Sequence, residues 1–395
     1  MVKANPWLRS LLRAGQQQQR ATTRALDILL TPSKPVKPKA PKKSKAKAAP
    51  KKNPVAPRAS PTPGFSRALA SLQRSSEPAT VHRTPLVAPG PVSGKWLTSH
   101  FSGPRDATGR IHRMSYWLFL PDGAPPPGGL RLVVMLHGCD QSATLFAQGT
   151  RMNQHAGRAG CAVLYPQQSA VHLHRCWHWF DRATQQGGGE VPAIAGMIRK
   201  VLDSYPIDRT RVYIGGLSAG AAMANIVALN HPEMFAALGL HSAPLFGAGH
   251  GGAAALGVMQ RGASVRAGSA IAEVLNRHTA FPPMPTILIQ GEEDSVVRPV
   301  NQAQLERQAM LLNRLPAASR VEILNKPGNR NTHPYVMRDF YQGNTLMLRI
   351  VRVAELKHAW SGGDEQLSFN CGAGPDASRM LLDFFARHRR VVGSA

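Results

Sequence analysis

The sequence predicts an α/β fold: a mainly parallel sheet with helices on both faces, preceded by a disordered basic arm. Three observations predict it. Short apolar runs at 130–136, 162–165, 212–215, 236–240 and 286–290 read as buried strands. Helical stretches at 152–160, 190–205 and 219–229 fall between them, the pattern of parallel strands joined by crossovers. Charge is piled at one end: of a formal net charge of +26, residues 1–76 hold 17 Lys or Arg against the single acid Asp27. The basicity therefore describes a tail rather than the fold.

In chain order, residues 1–30 set Trp7, Leu8, Leu11, Leu12, Leu26, Leu29 and Leu30 among arginines and glutamines. This predicts basic amphipathic helices suited to an anionic or lipid-coated surface, with an organelle-type transit composition as the alternative. Residues 31–95 are rich in Lys, Pro and Ala, with nine lysines from Lys34 to Lys52, and cannot bury enough apolar surface to fold. Such a segment attracts nucleic-acid phosphates nonspecifically or serves as a solvated spacer. The folded domain is expected over 96–393. Its first strands, 111–120 and 130–136, flank Pro121-Asp122-Gly123 and Pro125-Pro126-Pro127, which predicts a hairpin or meander. Residues 242–285 dissolve into Gly, Ala and scattered Arg, with a helix at 271–275, and are expected to form a lid insertion. Residues 334–353 read as a hairpin turned at Gln342-Gly343-Asn344, and 376–390 as a closing helix with a basic last turn.

Several classes are disfavoured. No run of about 18 apolar residues exists to span a membrane. Arg9, Ser10 and Arg13 interrupt the first leucines, so no secretory hydrophobic region is expected there and the protein is placed in the cytoplasm. Cys139, Cys161, Cys176 and Cys371 show no zinc spacing and permit zero, one or two bridges. No phosphate-binding loop or G-x-G-x-x-G follows a first strand, which argues against nucleotides.

The chemistry centres on Gly216-Leu217-Ser218-Ala219-Gly220, a G-x-S-x-G match between a strand and a helix. A serine on that corner projects its hydroxyl above the sheet edge, and the glycines give room for the turn. A serine hydroxyl is a weak nucleophile without a base, and its partners are expected after later strands, acid first and histidine second. The acid is expected at Asp294, in Gly291-Glu292-Glu293-Asp294, with Glu292 and Glu293 solvated and Asp339 a weaker alternative. Among fifteen histidines His358 stands out, following a strand-like run on a Gly-rich turn downstream of Asp294. His278, His333 and His388 lack that placement. The oxyanion hole calls for two N–H groups, assigned to Ala219 and, beside Gly138, to Cys139, whose thiol is incidental or disulfide-bonded. None of this needs a metal or a cofactor.

Leu136-His137-Gly138-Cys139-Asp140-Gln141, Cys176-Trp177-His178-Trp179-Phe180, the serine pentapeptide, the Asp294 turn and His358-Ala359-Trp360-Ser361-Gly362-Gly363 together resemble the poly(3-hydroxybutyrate) depolymerase family of α/β-hydrolase esterases. The resemblance covers about residues 100–390. It implies Ser218 as nucleophile, Asp294 as orienting acid, His358 as base, and the N–H groups of Cys139 and Ala219 as oxyanion hole. It also implies Trp177, Trp179 and Trp360 as the lining of an apolar crevice for a polyester chain. The basic arm makes the chain similar to members that work at intracellular storage granules, while many relatives are extracellular. Polyester hydrolysis is the expected activity. Feruloyl or acetyl ester hydrolysis on plant polysaccharide is the alternative. In a different class stands a protein that binds granule or DNA surfaces through residues 1–60.

Overall fold

The computed structural model describes residues 93–105, 111–263 and 267–390. The amphipathic segment expected over 1–30, and nearly all of the linker expected over 31–95, lie outside these residues.

The strands are β1 (Gly94–Arg105), β2 (Ile111–Pro121), β3 (Leu130–Leu136), β4 (Cys161–Pro166), β5 (Ile207–Leu217), β6 (Ala237–His241), β7 (Thr286–Gly291), β8 (Arg320–Lys326), β9 (Tyr335–Gln342) and β10 (Thr345–Val353), with short β11 (Trp360–Ser361) and β12 (Asn370–Cys371). The helices are α1 (Ala143–Gly149), α2 (Met152–Ala159), α3 (Arg182–Gln185), α4 (Val191–Ser204), α5 (Ala219–Asn230), α6 (Gly252–Arg261), α7 (Ala267–Arg277), α8 (Val300–Leu312) and α9 (Ala377–Phe385). Strands β1 to β10 form one sheet in the order β1-β2-β4-β3-β5-β6-β7-β10-β9-β8. Its middle, from β4 to β10, is parallel, and antiparallel pairs close both ends.

The period-two rule of strands explains the layers. Along β3, Leu132, Val134 and Leu136 join a core with α4, α5 and α8, whereas Val133 and Met135 join a second core with α1, α2 and α9. A strand buried on both faces is an interior strand. For that reason β2 and β3 are not the expected hairpin: β2 pairs with β1 and β4, and β3 lies between β4 and β5. The segment expected as a lid insertion lies between two neighbouring strands. Residues 242–285 form the crossover from β6 to β7, which are neighbours in the sheet. This crossover carries α6 and α7, which bury Ala255, Val258, Met259, Ile271 and Val274. Met259 C=O accepts from Arg298 N–H and Asn301 Nδ2, fastening α6 to the loop after β7.

At the far end, β8 is exposed along its whole length. Arg320, Glu322 and Lys326 interrupt its apolar residues, a device that discourages pairing with another strand. Between β9 and β10 a buried ion pair, Asp339 with Arg349 at 2.6 and 2.7 Å, fixes the antiparallel ladder. The closing helix is shorter than expected, ending at Phe385. No described helix is long and apolar enough to cross a membrane.

Candidate active site

The carboxyl ends of β3, β5, β7 and β10 carry Cys139, Ser218, Asp294 and His358, which is where crevices form in a parallel sheet. Ser218 sits between β5 and α5 with φ 57° and ψ −123°, a left-handed backbone that a serine adopts only when its surroundings compel it. The surroundings are visible. A Cβ on Gly216 would lie 2.4 Å from Leu136 O, and one on Gly220 would lie 2.1 Å from Leu136 O and 2.3 Å from His137 O. Only glycine lets β5 and α5 close this tightly against β3. Ser218 N–H donates to His241 O at 3.0 Å, and Ser218 O accepts from Ala222 N–H at 3.0 Å, starting the helix. The N–H of Ala219 falls in the first turn, where a helix has no internal acceptor.

Asp294 and His358 meet across 64 residues of sequence: His358 Nδ1 donates to Asp294 Oδ2 at 2.8 Å, with both side chains buried. Asp294 Oδ1 accepts from the N–H groups of Val296 and Val297 at 3.0 and 2.8 Å, and Oδ2 also accepts from Gln290 Nε2 at 3.0 Å. Burial alone would raise this carboxyl. The adjacent His358, the Val297 N–H and the Ser242 hydroxyl outweigh it and hold Asp294 below the usual carboxylate range. A proton on Nδ1 leaves Nε2 of His358 free to accept one from a serine hydroxyl.

The third component is the turn after β3. Gly138 N–H donates to Gln141 Oε1 at 2.8 Å, and a Cβ on Gly138 would lie 3.7 Å from Ser218 Cβ. Cys139 follows, held by a disulfide to Cys176, with Cα atoms 4.3 Å apart. His137 is fully buried: its Nδ1–H donates to Gly138 O at 2.7 Å and its Nε2 accepts from Gln168 N–H at 3.1 Å. Burial pushes His137 down to about 4, against the Gly138 bond that raises it and with the help of Arg175. It is thus a neutral spacer with a fixed tautomer. Gln168 in turn reaches Cys176 O and Glu190 Oε1 at 3.3 and 2.6 Å, and His178 Nδ1 donates to the same Glu190 oxygen at 2.7 Å.

With the geometry in place, the comparisons are informative. The family profile described as Esterase PHB depolymerase matches residues 114–323. The chain belongs to this family. That span holds Ser218 and Asp294, while His358 lies beyond it. Among curated relatives, a probable acetylxylan esterase A of Aspergillus fumigatus is 33% identical over 129 residues, 32% of this chain and 33% of its own. Poly(3-hydroxyalkanoate) depolymerase C of Paucimonas lemoignei is 35% identical over 119 residues, 30% of this chain and 28% of its own. The matched stretches thus span about a third of these relatives' length. An acetyl xylan esterase structure from Aspergillus awamori superposes with TM-score 0.57 at 18% identity, covering 74% of this chain and all of that one, a likeness of fold.

In this esterase PHB depolymerase family member the three tryptophans are not the walls of a crevice. Trp177 and Trp360 are wholly buried and Trp179 is 2% exposed. Trp177 Nε1 donates to His137 O at 2.9 Å, bracing the turn before Cys139. Trp360 stacks on His241 and donates to Ser378 Oγ at 3.1 Å. Trp179 packs edge-on to Phe180. An indole with its N–H satisfied in the core gains more from burial than from waiting for a ligand. The weaker alternatives are occupied elsewhere: Asp339 by Arg349, His333 by Glu355 at 3.3 Å, and His388 beneath Phe384. His278 is set edge-on against Phe281. Sequence reasoning missed the supports Gln141, Gln168, Glu190, His241 and Ser242. Gln141 was signalled by its place in the His137-Gly138-Cys139 motif; the others had no local signal.

Proposed function

We propose that this chain is a serine carboxylic ester hydrolase that cleaves poly(3-hydroxybutyrate) or its oligomers. The observation that carries the reading is the His358–Asp294 hydrogen bond at 2.8 Å, on the same sheet edge as the left-handed Ser218. In this mechanism Ser218 Oγ attacks the ester carbonyl as His358 Nε2 takes its proton. Asp294 holds the imidazole and stabilises its cation. The N–H groups of Cys139 and Ala219 receive the oxyanion, an interaction each worth about 3 kcal/mol in such sites. His358 then protonates the leaving alcohol, and water activated by the same ring releases the acid from the acyl-enzyme.

The depolymerase relative and the family description support a polyester substrate. The acetylxylan esterase and feruloyl esterase relatives favour the second reading, release of acetyl or feruloyl groups from polysaccharide. The basic arm adds anchoring: nine lysines between Lys34 and Lys52 suit an anionic granule surface in the cytoplasm, or nucleic acid held nonspecifically.

Clearing of amorphous poly(3-hydroxybutyrate) granules, compared between the wild type and Ser218→Ala, tests the reading. The variant is expected to lose at least about 10³-fold in rate. Serine-dependent hydrolysis of short acyl esters without granule clearing would move the substrate to polysaccharide esters. Wild-type rates in Ser218→Ala would remove the serine mechanism altogether. The same assay across ionic strength reads the arm, whose contribution falls as salt rises.

A further inference from the structure

The turn after β3 is tied to the loop after β4 at two neighbouring residues. Cys139 is bonded to Cys176, and both are buried. Beside it, Asp140 N–H donates to His174 O at 2.6 Å, and the His174 ring lies 2.6 Å from Asp140 Oδ1. The loop that holds Cys176 is itself braced. Cys176 O accepts from Gln168 Nε2 at 3.3 Å, and the wholly buried Trp177 donates to His137 O at 2.9 Å.

The peptide that carries the Cys139 N–H is therefore held from both ends. Its oxygen, Gly138 O, accepts from His137 Nδ1–H at 2.7 Å, and the residue on its nitrogen side is fixed by the disulfide. Glycine at 138 has no side chain to resist rotation of that peptide. We propose that Cys176 is a positioning residue: through the disulfide it aims the Cys139 N–H at the oxyanion, so that hydrolysis is fast only in the oxidised enzyme. The inference rests on the serine mechanism proposed above.

In the reduction a dithiol gives two electrons and two protons to the bond, becomes a disulfide itself, and leaves thiols on Cys139 and Cys176. Bonded sulfurs lie about 2.0 Å apart, whereas nonbonded heavy atoms settle at about 3.5 to 4.0 Å. Both cysteines are buried, so part of that separation passes to the backbone. The peptide pivots about its His137 bond, and the N–H turns away from the place where the oxyanion develops. The Asp140–His174 tie and Trp177 keep the turn near its position, so the reduced enzyme is folded yet slow. A glutathione-buffered cytoplasm holds the enzyme in the slow state, and an oxidising compartment releases it.

The full-length chain is assayed on a soluble short acyl ester before and after treatment with a dithiol, beside the double variant Cys139→Ala/Cys176→Ala. Alkylation and intact mass count the thiols: two are expected before reduction, Cys161 and Cys371, and four after it. Reduction is expected to lower kcat roughly 10²-fold with KM within about twofold, and reoxidation to restore it. A boronic acid, whose adduct with the Ser218 hydroxyl presents an oxygen to the same donors, is expected to bind more weakly by a similar factor. A merely structural bond would not weaken boronate binding while sparing KM. Cys161→Ala and Cys371→Ala are expected to keep the whole response to the dithiol. Four thiols before reduction, a wild-type kcat after it, or a fall in kcat with boronate affinity unmoved would each overturn the inference. Where the reduced wild type does not stay folded, the double variant decides by the same two readouts. Serine-dependent hydrolysis that ignores reduction removes the role of Cys176 alone, whereas wild-type rates in Ser218→Ala remove the esterase reading.

Discussion

The two corners that meet over Ser218 are built by opposite means. The corner after β5 is specified by neighbours in sequence: glycines at 216 and 220 supply the clearance against β3 that a serine with φ 57° needs there. The corner after β3 is assembled from afar. Cys139 is tied to Cys176, His137 to Gln168 and Trp177, and Gln168 to Glu190, across 31 to 40 residues for the contacts that reach the turn itself. A nucleophile must sit in one strained geometry that the chain can impose through glycine. An oxyanion donor must be aimed relative to that nucleophile, which only tertiary contacts can do.

Alanine at one glycine of each corner breaks the comparison most forcefully. At Gly220 a Cβ would strike two backbone oxygens at 2.1 and 2.3 Å, neither of which can yield without separating β3 from α5. Gly220→Ala is expected to cost more than about 3 kcal/mol and to leave little soluble enzyme. At Gly138 the nearest atom is the end of the Gln141 side chain at 3.0 Å, which can give way. Gly138→Ala is expected to fold, with activity lowered roughly tenfold because the Gln141 bond is disturbed. Expression, thermal midpoint and rate measured together separate the two. Equal stability in both variants would mean that the elbow is no tighter than the oxyanion turn.

This difference explains what could be read in advance. The strand-turn-helix around Ser218 was legible because its causes are neighbours in sequence: β-branched residues, two glycines, then a run of small helix formers. Asp294 and His358 were legible because each follows a buried strand on a glycine-bearing turn. The supports of Cys139 were not, since Gln168 and Glu190 are polar residues whose burial depends on how α4 packs. The tryptophans misled for the same reason: an aromatic cluster has one composition whether it faces a ligand or a core, and only the fold decides. The strand order around β3 was also hidden, because Pro121-Asp122-Gly123 marks a turn without saying which strand pairs next.

In the proposed mechanism Asp294 orients the base, and its replacement gives the next largest effect. Asp294→Asn keeps the size and an acceptor for Val296 and Val297, but its amide can offer an N–H where His358 now donates. The imidazole is then held in the wrong tautomer. The rate is expected to fall about 10³- to 10⁴-fold with little change in KM, since the loss is of transition-state charge stabilisation. Steady-state kinetics beside a thermal melt check it. A rate within about tenfold of wild type would mean that Asp294 does not orient the base.

The smallest effect separates the corners by their buried histidines. His137 braces the turn after β3 and is pushed down to about 4; His241 braces the Ser218 turn and is pushed down to about 3, in both cases mainly by burial. Each folded value lies below the unfolded value of 6.5, so between these limits the unfolded chain binds more protons. The stability they contribute is present above pH 6.5 and is lost as pH falls toward 4 and then 3. His388, also near 4 through burial, adds in the same direction, whereas His178, raised by Glu190 and Asp181 against its own burial, opposes it. Each neutral buried histidine contributes a slope of up to about 1.4 kcal/mol per pH unit. Urea midpoints measured from pH 7 to 4.5 are expected to fall steadily in the wild type. His137→Gln, which cannot take up that proton in either state, is expected to lose stability at pH 7 yet show a slope shallower by about one proton. An unchanged slope would mean that His137 is protonated in the folded protein, and the fixed tautomer that aims Gly138 and Cys139 would go with it.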